Sequence, residues 1–191
     1  MSAKAEMRAA HSARRAALSQ DPARKAALDA SIVDAALACI EHAGARAKNI
    51  AAYNPLRSEP GPRDFAHCLS TATRTLFLPI SLPDGVLAWG VAGASAAAGA
   101  LGVAEPVGAR FTSNVLRSCG LVVAPALAVD GNGMRLGKGA GYYDRALAGL
   151  DTLNTPVAAV IYDEEFVDAV PHDTHDQPVD FVITPRGFFR V

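Results

Sequence analysis

The sequence predicts a single three-layer α/β domain over residues 1–191, Rossmann-like, with a mostly parallel central sheet flanked by helices. Stretches with helical spacing alternate with short apolar runs, which is the pattern of parallel strands joined by helices. The apolar runs are continuous rather than alternating, as in strands covered on both faces. Half of the 191 residues are hydrophobic and 19% are charged, which suits one domain with a substantial core.

The chain is predicted to begin with two helices. Ser2 can cap a helix that runs to about Leu18, and Pro22 suits the first turn of a second helix that runs to about His42. We expect these N-terminal helices, within residues 2–43, to pack on the α/β body.

The remaining elements alternate between strands and helices. Apolar runs predict the strands, and stretches rich in Pro or Gly separate them. The predicted strands cover residues 49–53, 75–79, 86–89, 120–125, 157–161 and 181–184, with an edge strand over 188–191. Two further helices are predicted over residues 64–71 and 142–150.

Residues 85–104 contain no charge and are about as many as a helix needs to cross a bilayer. Eight of them are Ala and five are Gly, so little transfer free energy would drive insertion. A membrane span is therefore the weaker alternative. We predict a short strand followed by a packed Ala-rich helix or loop, and no association with a membrane.

Composition excludes several functional classes. A formal net charge of −1 gives no general signature of a nucleic-acid binder. Cys39, Cys68 and Cys119 are far apart and lack CxxC spacing, so we expect buried or free thiols rather than a disulfide framework or a zinc ribbon. The N-terminus lacks the continuous apolar segment of a signal peptide, and we expect a cytoplasmic protein.

The clearest chemical signal lies in residues 131–141, the glycine loop. Gly137, Gly139 and Gly141 alternate in it, and glycine permits a positive φ and a close approach of backbone N–H groups to a ligand. Arg135 and Lys138 add positive charge, and a helix that starts directly afterwards would favour an anion at its N-terminus. Together these features predict a phosphate cradle.

The glycine loop matches neither of the common phosphate-binding motifs. A P-loop needs Gly and Ser or Thr at positions that Asn132 and Gly139 occupy, and a Rossmann fingerprint needs Gly where Tyr142 stands. Asp144 would lie in the first helical turn, where a carboxylate beside phosphates is a natural Mg²⁺ ligand. The alternative is a flexible turn with an Asp that caps the helix.

The string LGKGAGYYDR, after an apolar strand that ends in Pro125, resembles the signature of the 5-formyltetrahydrofolate cyclo-ligase family, also called methenyltetrahydrofolate synthetases. The resemblance extends along nearly the whole chain. Its other parts are Lys4 with Arg8, residues 52–55 with Glu59, Glu105 with Pro106, and His175–Asp176 with Asp180 and Thr184. The chain departs from the family at Ala140, where Gly or Lys is usual, and over residues 90–102, where many members carry Arg and aromatic residues.

The resemblance implies an enzyme that depends on ATP and Mg²⁺ and closes 5-formyltetrahydrofolate to 5,10-methenyltetrahydrofolate. ATP would phosphorylate the formyl oxygen to give an iminium phosphate, and N10 would then close the ring. No protein nucleophile is needed, and the sequence contains no GxSxG elbow. The partners would be a reduced folate and ATP, without nucleic acid or membrane, and we expect a monomer.

The resemblance also assigns residues to roles. It implies that Asp144 and Asp176 hold Mg²⁺, that Asn54, Glu59 and Tyr142 bind the folate, and that His175 orients Asp176. It assigns no certain catalytic residue, and positioning falls to Arg135, Lys138 and Tyr142. The implied ATP-binding residues are Lys4, Arg8, Arg135, Leu136, Gly137, Lys138, Gly139, Ala140, Gly141, Tyr142 and Tyr143.

Simpler alternatives exist for these residues and for the function. Lys4 and Arg8 could belong to a solvated basic helix, and Glu59 could be an ordinary surface residue. The two tyrosines could be core aromatics, and His172 and His175 could suggest zinc, although Pro171 indicates a loop. The whole chain could be a related α/β enzyme that acts on sugar phosphates or CoA, or a folate- or nucleotide-binding protein without catalysis.

Overall fold

Two long helices begin the chain in the computed structural model, which describes residues 2–93, 96–99, 102 and 104–191. α1 spans Ala3–Leu18 and α2 spans Pro22–His42, as predicted. Ser2 Oγ accepts a hydrogen bond from the N–H of Ala5 at 3.3 Å, and Asp21 caps α2 in the same way. Each cap supplies a partner for an N–H group that the first helical turn leaves open.

Strands and short helices alternate after α2. In chain order they are β1 (Asn49–Ala51), α3 (Phe65–Ser70), β2 (Thr75–Ser81), β3 (Leu87–Val91), β4 (Ala96–Ala98), β5 (Ala104–Pro106), β6 (Cys119–Pro125), β7 (Ala128–Asp130), β8 (Arg135–Leu136), α4 (Tyr142–Leu147), β9 (Val157–Val160), β10 (Phe166–Val167), β11 (Phe181–Thr184) and β12 (Gly187–Arg190). Two 3₁₀ turns, Ser113–Ser118 and Asp163–Glu165, precede β6 and β10.

A seven-stranded sheet lies at the centre in the order β12-β11-β9-β6-β1-β2-β3. The five inner strands are parallel to one another, and the edge strands β3 and β12 run antiparallel to their neighbours. The single-domain α/β fold with a mostly parallel sheet is therefore confirmed, as is the C-terminal edge strand.

Strand β6 illustrates why its sequence is a continuous apolar run. Leu121 and Val123 belong to the core cluster that contains α2 and α3, whereas Val122 and Ala124 belong to the cluster that contains α4. Because successive side chains of a strand point to opposite faces, both sets must be apolar. Helices thus cover both faces of the sheet.

Two predictions about shorter segments were wrong. Ala96–Ala98 were expected in a packed helix or loop, but they form β4, whose antiparallel pairing with β5 outweighs the helical preference of Ala. Residues 94, 95, 100, 101 and 103 of this segment lie outside the described residues. Helix α4 ends at Leu147 rather than at about residue 150, because Ala148 leaves the helical conformation with a ψ of 123° and Gly149 follows with a left-handed φ of 71°.

A second sheet of three strands, in the order β10-β7-β8, was not predicted. It includes the middle of the glycine loop, since β8 is Arg135–Leu136. Buried Asp130 holds this region, because its carboxylate accepts hydrogen bonds from the N–H groups of Asn132, Met134 and Val170 at 2.9–3.1 Å. The first residues of the glycine loop thus form a well-bonded turn.

The three cysteines form no disulfide bond with one another. Cys39, Cys68 and Cys119 are free, and the first and last are buried. Within the described ranges, no helix is long and apolar enough to cross a membrane.

Candidate active site

A cleft of about 250 Å³ opens at the carboxyl ends of β1 and β6. In the strand order, β2 lies on one side of β1 and β6 lies on the other side. The chain connections that follow β1 and β6 therefore diverge between these two strands. Open α/β sheets bind ligands at such a switch in strand order. The cleft is lined by residues after β1, by the ends of β2 and β6, and by the glycine loop with the start of α4.

The glycine loop forms one wall of the cleft. Gly139 has a φ of 102° and Gly141 a φ of 69°, left-handed conformations that favour glycine. A Cβ on Gly141 would lie 3.0 Å from Nη1 of Arg145, whose Nη2 donates to the carbonyl oxygen of Ala140 and whose Nε donates to that of Gly85. The backbone of the loop therefore borders the cleft without bulky side chains, and α4 begins at Tyr142 as predicted.

Arg135 joins three parts of the site. Its side chain is almost fully buried, with Nη2 2.7 Å from Asp144 Oδ1 and Nη1 2.5 Å from the carbonyl oxygen of Gln177. The guanidinium thereby links the glycine loop, the first turn of α4 and the segment that contains Asp176. One oxygen of Asp144 is neutralised by this contact, and the Asp144 side chain keeps access to solvent.

Glu59 faces the glycine loop from the opposite wall. Its side chain is only 6% exposed, and Oε1 lies 2.8 Å from Nζ of Lys138, while Oε2 accepts a hydrogen bond from the N–H of Leu56 at 2.8 Å. Asn54, nearby in the chain, donates from Nδ2 to the carbonyl oxygen of Ala104 at 2.8 Å. The expected folate side and the expected phosphate side therefore touch within one cleft.

Arg8 connects α1 to the glycine loop. Its Nε donates to the carbonyl oxygen of Gly137 at 2.8 Å. With Ser12 and Lys138, Arg8 also lines a second cavity of about 320 Å³ that shares Leu127 and Lys138 with the cleft. The lining of this adjoining cavity also includes Arg15 and Ser58, so it combines three cations with two hydroxyls, which are groups that bind phosphate oxygens.

Lys4 reaches a different segment. Its Nζ lies 2.6 Å from Oδ2 of both Asp173 and Asp176, and the Asp176 oxygen also accepts the N–H of Asp173. Burial alone would lower the pKa of Lys4, but its bonds to the two carboxylates raise that pKa above its usual value. Burial alone would likewise raise the pKa of Asp176, yet the hydrogen bonds from Lys4 and Asp173 lower it. Asp176 is thus held as a carboxylate.

Two adjacent tyrosines differ in their bonding. The hydroxyl of Tyr142 donates to the carbonyl oxygen of Leu82 at 3.2 Å. Tyr143 packs edge-on against Trp89, and its hydroxyl is buried with no hydrogen-bond partner among the residues that the structure describes. Burial raises the pKa of Tyr143, so the group is a neutral hydroxyl beside the cleft. An unpaired buried hydroxyl is costly, which suits a group that a ligand would satisfy.

A model of the 5-formyltetrahydrofolate cyclo-ligase family matches residues 1–185. The chain belongs to this family. A 5-formyltetrahydrofolate cyclo-ligase of Mycolicibacterium smegmatis is 32% identical over 145 residues, covering 73% of this chain and 74% of that protein. An NMR structure of a 5,10-methenyltetrahydrofolate synthetase from Aquifex aeolicus covers 98% of this chain and 92% of its own, with a TM-score of 0.78 and 26% identity.

A further solved structure agrees on the fold. The 5,10-methenyltetrahydrofolate synthetase from Mycoplasma pneumoniae covers 96% of this chain and 99% of its own, with a TM-score of 0.73 and 23% identity. The family resemblance inferred from the motifs is confirmed, and the chain is an enzyme of a ligase family.

Most residues that the cyclo-ligase motifs assign come together in the cleft. Those that line it are Asn54, Glu59, Arg135, Gly137, Lys138, Ala140, Gly141, Tyr142, Tyr143 and Asp144. Lys4, Arg8, Gly139 and Asp176 lie outside this set and contact neighbouring segments. Leu136 is buried and packs beside Leu127, so only its backbone is available to a ligand.

The composition of the site fits Mg²⁺ bound together with phosphates. In the described part of the chain, no three His, Cys, Asp or Glu side chains form a group that could hold a metal alone, so His172 and His175 form no zinc site there. Mg²⁺ usually takes only one or two carboxylates and completes its shell with phosphate oxygens and water. Arg135 bonds both to Asp144 and to the carbonyl oxygen of Gln177, which follows Asp176, and Asp144 and Asp176 are carboxylates of that kind.

Sequence reasoning missed the apolar floor of the cleft and one carboxylate. Leu56, Pro79 and Leu87 line the cleft, and Glu105 lines it while accepting the N–H of Ser81 at 3.0 Å. The rule that ligands bind at carboxyl ends of parallel strands could have suggested the floor. The sequence indicates Glu105 only as part of the Glu-Pro pair.

Proposed function

We propose that this chain closes 5-formyltetrahydrofolate to 5,10-methenyltetrahydrofolate and converts ATP to ADP and phosphate. The observation that carries the proposal is the contact between Lys138 and Glu59, 2.8 Å apart. It places a phosphate-type glycine loop and a buried carboxylate on facing walls of one cleft. Two substrates that bind these walls would be held side by side, as group transfer between them requires.

The chemistry proceeds in two displacements. The formyl oxygen attacks the γ-phosphorus of ATP, ADP leaves, and an iminium phosphate forms. N10 then attacks the activated formyl carbon and loses its proton, the carbon–oxygen bond breaks, and the oxygen departs within inorganic phosphate. Neither step requires a covalent bond to the protein. Burial raises the pKa of both Cys39 and Cys119 to about 12, which keeps these thiols protonated and unreactive.

Positively charged groups from two parts of the chain would bind the phosphates. Arg135, Arg8 and Lys4 supply the charge, and the N–H groups of residues 136–143 supply donors, with Lys138 in the same loop. In phosphoryl transfer the protein acts mainly by positioning and by neutralising charge. In this structure Lys4 is paired with Asp176, and Arg8 donates to the carbonyl oxygen of Gly137. MgATP would have to replace or extend these two contacts.

The folate would lie against the opposite wall. Glu59 can accept from the amino and ring N–H groups of a pterin in a charge-assisted pairing, with Asn54 nearby and Tyr142 supplying an aromatic face. Apolar side chains at the floor exclude water from the reacting formyl group. Asp144 and Asp176 would hold Mg²⁺, which neutralises the charge of the phosphates when bound. All these groups come from one chain, so a monomer would suffice.

The test is a direct assay. Purified protein is mixed with 5-formyltetrahydrofolate and MgATP, and the near-ultraviolet absorbance of the methenyl product is followed with and without ATP and with and without Mg²⁺. Growth that requires both would support the proposal. A folded protein that binds folate without turnover would indicate a binding protein instead, and absence of folate binding would favour an enzyme of sugar phosphates or CoA.

A further inference from the structure

The segment that carries Glu59 has no helix or strand of its own. It comprises residues 52–64, between β1 and α3, and we call it the Glu59 loop. Its backbone is held by side chains from elsewhere: Lys25 Nζ donates to the carbonyl oxygen of Glu59 at 3.0 Å, and the N–H of Gly61 donates to Asp29 Oδ1 at 3.0 Å. Both of these side chains project from α2.

Asp29 is the centre of this arrangement. Its side chain is only 7% exposed, and Oδ2 lies 2.5 Å from Lys25 Nζ. Oδ1 accepts from the Tyr162 hydroxyl at 3.0 Å as well as from Gly61. A buried carboxylate is tolerated only where partners satisfy it, and these three donors, from α2, from the Glu59 loop and from beyond β9, surround it.

The Glu59 loop has little freedom to adopt another path near Asp29. Gly61 has a φ of 105°, and a Cβ there would lie 3.2 Å from both Pro55 and Phe65. Tyr53 donates from its hydroxyl to the carbonyl oxygen of Pro60 at 2.9 Å. The residues on each side of Glu59 are therefore fixed, and the hydrogen bond to Asp29 orients the backbone two residues after it.

We propose that Asp29 is a positioning residue for the folate side of the cleft. Its carboxylate, held by Lys25 and Tyr162, fixes the Glu59 loop so that the Glu59 side chain faces the cleft. The inference rests on the proposed role of Glu59 in folate binding. Asp29 itself does not line the cleft, so it acts only through the loop.

The position of Asp29 predicts a selective kinetic effect. Asp29→Ala should raise KM for 5-formyltetrahydrofolate by about tenfold and leave KM for ATP within about twofold, because the glycine loop is held by other residues. Asp29→Asn keeps an oxygen that can accept from Gly61 and Tyr162, and it should recover most of this loss. Asp34→Ala, at an exposed position on the same helix, is the matched control and should change neither constant.

Hydrogen–deuterium exchange provides a readout that does not depend on turnover. In the ligand-free protein, Asp29→Ala should speed exchange over residues 52–64 and leave residues 135–144 unchanged. If Asp29→Ala does not fold, Tyr162→Phe removes one donor to the same carboxylate and should give the same pattern with a smaller amplitude.

The variant Glu59→Gln distinguishes a wrong positioning role of Asp29 from a wrong folate-binding role of Glu59. If Glu59→Gln raises KM for folate while both Asp29→Ala and Tyr162→Phe leave that KM and the exchange of the loop unchanged, the positioning role is wrong. Parallel rises in both KM values would also overturn it, since they would mark a general loss of structure. If Asp29→Ala speeds exchange in the Glu59 loop but Glu59→Gln leaves folate use unchanged, the proposed role of Glu59 has failed instead.

Discussion

The two walls of the cleft are held in different ways. The glycine loop has local bonds, the Arg135–Asp144 ion pair and the bond from Arg145 to the Ala140 carbonyl, beside its long-range bonds to Arg8 and Gln177. The Glu59 loop is held by α2, since Lys25 and Asp29 lie more than thirty residues before their backbone partners. One wall thus carries a local motif of glycines and ion-paired neighbours, whereas the contacts by which α2 holds the other wall arise only in the folded chain.

The walls also differ in exposure where they meet. Lys138 of the glycine loop is 46% exposed, whereas Glu59 is nearly buried, and both form a single ion pair. A half-exposed lysine can turn from its carboxylate to a phosphate while its ammonium group keeps contact with solvent. A buried loop bonded on several sides cannot move so readily. We therefore expect substrate binding to adjust the glycine loop more than the Glu59 loop.

The largest effect should come from the ion pair behind the Glu59 loop. Arg15 and Glu165 are almost fully buried at 2.6 Å, and Glu165 also accepts the N–H of Tyr162, whose hydroxyl reaches Asp29. Arg15→Met would leave a buried carboxylate without its cation, so the free energy of unfolding should fall by about 3 kcal/mol or more. Urea denaturation measures this change.

An exposed pair provides the control for that experiment. Arg24 and Glu164 lie 3.9 Å apart with side chains 63% and 69% exposed, so Arg24→Met should change the free energy of unfolding by less than about 1 kcal/mol. Equal effects of Arg15→Met and Arg24→Met would show that the buried pair does not support this side of the molecule.

The next effect concerns the glycine loop. Asp144→Asn removes a carboxylate proposed to hold Mg²⁺ and weakens the ion pair with Arg135. We expect kcat/KM for MgATP to fall by about tenfold or more, or about 1.4 kcal/mol, measured by steady-state kinetics. Exposed Asp168 is a control, and Asp168→Asn should be neutral. Unchanged kinetics in Asp144→Asn would remove the basis of the magnesium assignment.

The same contrast explains what could be predicted from the sequence. The helix cap at Ser2, the apolar strands and the glycine loop are local patterns, and the sequence predicts each of them. The bond from Asp29 to Gly61 and the pair Arg15–Glu165 join residues far apart in the chain, with no local signal. Sequence alone places charged residues on helices but does not show which of them become buried.

The contact between the walls should have a smaller effect. Lys138→Met removes the partner of Glu59 but keeps the length of the side chain. KM for ATP should rise by about threefold, because the loop loses a cation, and Lys138→Arg should preserve it. A rise in KM for folate without a rise in KM for ATP would contradict the assignment of Lys138 to the nucleotide.

The smallest effect should appear in the pH dependence of stability. Asp176 has a lowered pKa in the folded chain, so its pairing stabilises the fold above the unfolded pKa of about 3.9 and ceases to do so as the pH falls through the folded value. Lys4 has a raised pKa, so its contribution is complete below about 10.4 and is lost at higher pH. Lys4→Met should therefore reduce the free energy of unfolding by a constant amount, about 1 kcal/mol or less, between about pH 5 and 9.

That difference should shrink as the pH falls below about 4, because protonated Asp176 no longer attracts Lys4 in the wild type. Urea denaturation at several pH values measures the difference, and Lys48→Met, at an exposed lysine, should show no such change with pH. A deficit in Lys4→Met that persists unchanged at the lowest pH where the protein is folded would mean that Lys4 stabilises by packing its aliphatic chain. The segment around Asp176 would then depend on α1 through apolar contact rather than charge, unlike the ion-paired cleft beside it.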